Sequence, residues 1–317
     1  MAIYINDEEI RQLIRIEDAI EAVRGIMRDL AEGKACNCPR QRPRTTSTML
    51  HVLCAAGERI GSLGLKAYTT RQDGNRFLFL LFSDKTGDCD AVIEADWLGR
   101  FRTGAASGVA TRYLARPDAE TVGIIGTGRH ALTQLLAVCA VRQIKQAFVW
   151  SPTPEHRIRF AEENQEAVPI SLKLCESAES LVRQSDILCT ITKASTPVLK
   201  REWVQPGTHI NAAGSNSLSR QEIDPETLRG ADILVIDSIE QAKMECGDLF
   251  PLVQAGEKKW DDLIELSTVV SSGKSLREGS SQISIFESHG LGLWDIAVGK
   301  LIYDRACEAG VGTKLPF

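Results

Sequence analysis

Residues 121–131, Thr-Val-Gly-Ile-Ile-Gly-Thr-Gly-Arg-His-Ala, constrain this chain more than any other stretch. A short apolar run stops at a glycine turn, and a helical run carrying Leu132, Leu135, Leu136 and Cys139 follows. Gly126, Gly128 and the small Ala131 stand at the spacing of a dinucleotide fingerprint. In that role Gly126 permits the tight turn, Gly128 lets the backbone approach a pyrophosphate, and Ala131 lets helix and strand pack closely. The N–H groups that open the helix, with Thr127, Arg129 and His130 in the turn, would then face the phosphates. Alone the pattern also fits a turn kept for its geometry, so the segments around it decide.

Those segments alternate. Strand-like runs at 147–151, 170–174, 186–192, 208–213 and 232–237 are separated by helical runs at 177–184 and 225–230 and one starting at Pro154. Alternation with short links implies a parallel sheet covered by helices on both faces. Runs such as Ile187-Leu188-Cys189 and Ile233-Leu234-Val235-Ile236 are apolar throughout, as strands buried on both sides must be.

The texture before residue 121 differs. Residues 7–33 read as one helix or two, with Ala19, Ile20, Val23, Ile26, Met27 and Leu30 on one face. The basic run Pro39-Arg40-Gln41-Arg42-Pro43-Arg44 is extended, since residues before proline avoid the helical region. Runs at 48–55, 62–70, 76–83 and 89–94 follow, with turn signals at 56–58, 73–75 and 85–88; connections this short require antiparallel pairing. Residues 96–115 form a helix rich in glycine and alanine. After residue 238 the helical runs are 241–254 and 260–267, then a strand-like 283–286 and a final helix at 290–310.

With 317 residues the chain suggests about two domains, because single cores rarely exceed ~250–300 residues. A net charge of −5 gives no reason to expect nucleic acid or an anionic membrane as a partner. No signal-peptide pattern or apolar run of ~18 residues occurs, and a cytoplasmic protein is expected. The nine cysteines are scattered and odd in number, which argues against a disulfide framework. Cys36 and Cys38 form C-x-C without a second ligand pair at zinc-finger spacing, so no metal is expected.

Several segments together resemble the ornithine cyclodeaminase/mu-crystallin family: Gly64-Leu65-Lys66, residues 101–106 (Phe-Arg-Thr-Gly-Ala-Ala), Gly126-Thr127-Gly128, residues 202–212, Val235-Ile236-Asp237-Ser238 and residues 290–298. The resemblance runs in order along nearly the whole chain. It implies an α/β protein in which a Rossmann dinucleotide-binding domain (117–290) is inserted into an α+β substrate-binding and dimerisation domain (1–116 with 291–317) carrying an antiparallel sheet. It implies a homodimer joined through those sheets. Its members exchange hydride between a nicotinamide and the α-carbon of an amino acid or its imine.

The resemblance also points to residues. An imino-acid carboxylate suits the planar fork of arginine, and the family's early basic residue after a proline matches Arg40; Arg42 and Arg44 share its face if the segment is extended. Lys66 and Arg102 match family positions; Lys66, in an apolar strand, would be costly to bury without a partner, and the glycine- and alanine-rich surroundings of Arg102 leave room for a ligand. Burial would also lower the pKa of Lys66 and suit it to proton transfer. A buried pair with Glu94 is the alternative for Arg102. Asn216 stands where cyclodeaminase and alanine dehydrogenase members carry an aspartate, and an amide cannot act as a general base. Asp295, at the start of the final helix, is read as structural or as an orienter of an active-site cation. His51 could donate a proton or simply pack.

On the cofactor side, residues 149–153 lack the acidic residue that normally holds an NAD ribose. Ser151, Thr153 and Arg157 could take a 2′-phosphate, which favours NADP over NAD. Thr190 and Thr192 are expected beside the nicotinamide ribose. The reading is an NAD(P)H-dependent reductase of α-imino acids, cyclic ketimines such as Δ1-pyrroline-2-carboxylate above all. Ornithine cyclodeaminase, an alanine-type dehydrogenase and a low-turnover, crystallin-like NADP-binding protein are the alternatives.

Overall fold

Strand-forming runs sort into two sheets, and the chain into two units: Met1–Ala105 with Leu291–Phe317, and Ala106–Gly290. The computed structural model describes residues 1–71, 74–168 and 170–316, with the backbone alone at residues 71, 74 and 75. In chain order the strands are β1 (Ile3–Ile5), β2 (Ala35–Asn37), β3 (Met49–Gly57), β4 (Ser62–Arg71), β5 (Gly74–Ser83), β6 (Cys89–Glu94), β7 (Thr121–Ile125) and β8 (Gln146–Trp150). They continue with β9 (Ser171–Leu174), β10 (Ile187–Thr190), β11 (His209–Ala212), β12 (Ile233–Ile236), β13 (Ile264–Glu265), β14 (Ser284–Glu287) and β15 (Thr313–Lys314).

The first unit holds a seven-stranded sheet in the order β15-β1-β6-β5-β4-β3-β2. Strands β3 to β6 pair antiparallel, whereas β1 joins β6 in parallel. Residue 73, in the turn expected between β4 and β5, lies outside the described residues. Strand β3 buries every second side chain, as a sheet with one covered face requires. Two helices provide the cover. Ile16–Ala31 buries Ile16, Ala19, Ile20, Val23, Ile26 and Met27 along one stripe, and it packs on Gly292–Ala309, which lies over β3 and β4. Residues 7–33 thus form two helices, Asp7–Leu13 and Ile16–Ala31. The helix can come so close because Gly64 and Gly299 carry no side chain: a Cβ on Gly64 would stand 2.6 Å from Phe79 and 2.9 Å from Ile296, and one on Gly299 2.3 Å from Phe79.

The opposite face of this sheet is apolar too. Leu78, Leu63 and Leu50 remain 48%, 38% and 37% exposed, flanked by half-buried Val52, Leu65 and Leu80.

Helix Asp96–Leu114 carries the chain into the second unit, and the change of unit falls within it, after Ala105. There eight parallel strands run in the order β13-β12-β14-β11-β10-β7-β8-β9. Alternate residues of β10 feed two separate cores, Ile187 and Cys189 into one and Leu188 into the other, which places cover on both faces. The strand order reverses between β7 and β10. Crevices at such a reversal, outside the carboxyl ends of the strands, are where sheets of this kind bind ligands.

Two sequence expectations change here. Residues 241–254 form two short helices, Ile239–Glu245 and Phe250–Gln254, because Cys246-Gly247-Asp248 breaks the run: a Cβ on Gly247 would lie 2.0 Å from the Arg220 carbonyl oxygen. Residues 260–267 form a single 3₁₀ turn, the short strand β13 and the start of helix Leu266–Ser272. No helix among the described residues is long and apolar enough to cross a membrane.

Candidate active site

In β4 the alternation that turns Leu63, Leu65 and Ala67 outward turns Gly64 and Lys66 toward the final helix. Lys66 is 2% exposed, and its Nζ donates to Asp295 Oδ1 at 2.6 Å. Asp295 sits in the first turn of Gly292–Ala309, where the helix dipole favours a carboxylate, and it is fully buried. Arg102 approaches the same oxygen with Nε at 3.2 Å, its guanidinium 5.8 Å from the centre of the Trp294 ring. Glu94, the acid weighed as a partner for Arg102, instead accepts from the Tyr4 hydroxyl and the Asp7 amide.

Burial is the main cause that lowers the Lys66 pKa from 10.5 to about 7; the Arg102 and Arg40 charges lower it further, while Asp295 holds it up. Arg40 is therefore part of the same electrostatic cluster, and it is buried. Its two neighbours in the run diverge. The Arg42 Nε donates to His51 Nδ1 at 3.3 Å, and Arg44 is exposed. Tertiary structure thus brings Lys66 and Arg102 onto one carboxylate, with Arg40 close enough for its charge to act on Lys66. Asp295 Oδ2 is buried without a hydrogen-bond partner among the described residues, so the cluster also has acceptor capacity to spare.

His51 is a packed residue. It stacks on Tyr68 with ring centres 4.4 Å apart, and its Nε2 lies 3.0 Å from Thr70 Oγ1. Burial, then Arg42 and Arg40, lower its pKa to about 4, so it holds no extra proton to donate at neutral pH.

The glycine turn lies in the second unit. Gly126 has φ +104°, and a Cβ there would stand 2.7 Å from the Ile191 carbonyl oxygen. Around Gly128 the space is open, with no atom within 4 Å of a Cβ position. The following helix, Ala131–Val141, starts at His130 without a side-chain cap and without an acid in its first turn. Thr127 and His130 are half-buried and Arg129 is exposed. An open backbone and an uncapped helix start are what a pyrophosphate needs, so these residues fit a dinucleotide.

The remaining sequence candidates are more committed to the protein than expected. The hydroxyls of Thr190 and Thr192 both donate to the buried carboxylate of Glu222, at 3.1 and 2.7 Å. Glu222 also receives the amides of Thr192 and Gly214, at 2.6 and 2.8 Å. It thereby ties together the loops after β10 and β11, and burial pushes its pKa up to about 7. Nothing local in the sequence marked Glu222. Ser151 Oγ donates to the Thr153 carbonyl at 3.1 Å. Arg157 is buried, donates to the Cys175 carbonyl and lies 4.0 Å from Glu176. Thr153 caps helix Pro154–Asn164 without a side-chain bond. Asn216 is half-buried in the loop after β11.

Comparison with known proteins matches the fold. A family model described as ornithine cyclodeaminase/mu-crystallin family matches residues 3–310. A Bacillus cereus protein named Δ1-pyrroline-2-carboxylate reductase is 33% identical over 324 residues, 99% of each chain. The solved structure of Thermococcus litoralis Δ1-pyrroline-2-carboxylate reductase in complex with NADH and L-proline superposes with a TM-score of 0.94 at 35% identity, covering 99% of this chain and 100% of that one. An archaeal alanine dehydrogenase dimer with bound NAD follows at a TM-score of 0.92 and 33% identity, covering 100% of this chain and 99% of that one.

Proposed function

The chain belongs to the ornithine cyclodeaminase/mu-crystallin family, and from that premise we propose that it is an NAD(P)H-dependent reductase of cyclic α-imino acids such as Δ1-pyrroline-2-carboxylate. The observation that carries this reading is Lys66, a buried ammonium that titrates near pH 7 between two arginines and a carboxylate. Arg40 and Arg102 supply the charge to hold a substrate carboxylate, and a planar guanidinium orients one bidentately. Lys66 then has a proton to give to the ring nitrogen at neutral pH, and Asp295 keeps its Nζ in place. A nicotinamide dinucleotide, held at residues 126–131, supplies the hydride when bound. Asn216, an amide with no basic oxygen or charge, can orient an imine but cannot draw a proton from an amine. That favours reduction over ornithine cyclisation or oxidative deamination.

NADPH is the preferred donor in this reading. The end of β8 presents Trp150-Ser151-Pro152-Thr153, with no carboxylate among them to oppose a 2′-phosphate, and Arg157 follows in the next helix, where it is buried against the Cys175 carbonyl. The T. litoralis relative has NADH bound, so the contrast is open to a direct test. The protein works as a homodimer, joined through the apolar outer face of its first sheet; a continuous patch of this kind on a sheet is characteristic of an interface. Its nine free thiols suit a reducing cytoplasm.

Following NADPH and NADH absorbance with Δ1-pyrroline-2-carboxylate, Δ1-piperideine-2-carboxylate, and pyruvate plus ammonia tests the reading. The cyclic imines are expected to be reduced faster than pyruvate and ammonia, with the lower KM for NADPH. Ornithine converted to proline without net nucleotide consumption, or no oxidation with either cyclic imine, would refute it.

A further inference from the structure

Cys246, Glu287 and His289 are used by none of the steps above, yet they meet in the interior of the second unit. We propose that these three residues form a binding site for a divalent cation of the zinc class. The thiol sulfur, one carboxylate oxygen and one imidazole nitrogen all lie within 4.8 Å of one another, with Cys246 Sγ 3.9 Å from Glu287 Oε2. Donors around a tetrahedral zinc, at ~2.0–2.3 Å from the metal, stand roughly 3.3–3.8 Å apart. Closing onto an ion therefore takes side-chain movements of well under a bond length for the closer pairs. Thiolate, imidazole and carboxylate together select zinc and its neighbours over magnesium or calcium, which take oxygen donors.

Two further observations point to a ligand. Glu287 is 1% exposed, and its Oε1 is buried without a hydrogen-bond partner among the described residues. Behind His289 stands Asp237, whose Oδ1 is 3.2 Å from the imidazole Nδ1 and whose Oδ2 accepts the backbone amides of His289 and Gly290 at 2.6 and 2.7 Å. A carboxylate that fixes the plane of an imidazole in this way is the usual support behind a metal-bound histidine.

The ion would have a mechanical effect. Cys246 ends helix Ile239–Glu245, and Glu287 ends β14, so a shared cation pins that break in the helix to the carboxyl edge of the sheet. Asp248, two residues on, accepts the amides of Glu222 and Ile223 at 2.8 and 3.0 Å. Through Glu222 that segment holds Thr190, Thr192 and Gly214. The site is thus a brace for the loops of the nucleotide-binding edge, and it stands independently of which imine is reduced.

Full-length protein produced in zinc-supplemented and in cobalt-supplemented medium, then passed over a chelating resin, tests the proposal. The expected results are about one metal ion per chain by elemental analysis and, with cobalt, a thiolate-to-cobalt charge-transfer band. Cys246→Ser should abolish the band and lower retained metal at least tenfold. Glu287→Gln, which preserves volume, should weaken retention while the fold persists, and it carries the test if the serine variant does not fold. A Cys36→Ser/Cys38→Ser variant should keep both signals. Wild-type protein with neither metal nor band, signals that survive in Cys246→Ser, or metal retention undiminished in Glu287→Gln would overturn the proposal.

Discussion

Replacing Lys66 by methionine, which keeps the length of the side chain and removes its charge, separates stability from activity. The Lys66 pKa falls from 10.5 to about 7 on folding, an interval that corresponds to roughly 5 kcal/mol between the charged and neutral forms. The sign follows from proton counting. Below pH 7 the lysine is protonated in both states, and the folded protein carries the full cost of burying the charge. Between pH 7 and 10.5 the unfolded chain binds a proton that the folded protein does not, so stability rises with pH through that window. Lys66→Met has no such proton to count. Its unfolding free energy, measured by urea titration at one protein concentration, should start level with or above wild type at pH 6. Wild type should then gain on it by roughly 4 kcal/mol between pH 7 and pH 10. Other titrating groups contribute equally to both proteins and cancel in the difference. Asp295 keeps Arg102 at 3.2 Å in the variant, so its carboxylate is not abandoned. Imine reduction should meanwhile fall by about 10²–10⁴ in kcat/KM, the usual worth of a positioned proton donor. Parallel stability curves for the two proteins would show that folding does not shift the lysine, and unchanged reduction would remove it from the mechanism.

Other substitutions probe the same sites from different sides. Asp295→Asn removes the one group that holds the Lys66 pKa up, so the alkaline fall of kcat/KM should move below its wild-type position near pH 7. Unfolding should become easier by about 3–5 kcal/mol, since breaking a buried ion pair strands its partners. The two glycines of the turn should behave differently under alanine substitution. Gly126→Ala strains a φ of +104° against the Ile191 carbonyl and should cost about 1–3 kcal/mol of stability; Gly128→Ala meets no protein atom, so the melting temperature should hold while the KM for the dinucleotide rises about tenfold. Leu65→Asp, on the outer face of β4, should yield a monomer by light scattering at micromolar concentration. A dimer that persists would place the interface elsewhere.

Much of this molecule was legible one segment at a time. The glycine turn, the alternating apolar strands and the antiparallel runs before them rest on periodicity and turn chemistry, which act over a few residues. Lys66 stood out for the same reason: a charge in an apolar strand announces its own cost. Which partner meets that cost was not local. Asp295 reaches Lys66 across 229 residues of sequence, delivered by a helix that lies close to the sheet only because Gly64 and Gly299 leave room for it. Likewise three arginines of one extended run looked equivalent, and only burial set Arg40 apart from Arg42 and Arg44. Glu222 binds two threonines expected to face the cofactor, and Cys246 meets Glu287 across 41 residues. Sequence spacing carries the period of a strand or helix. The meeting of side chains from different elements is decided by sheet order and helix docking, and those are set by burial of the whole core.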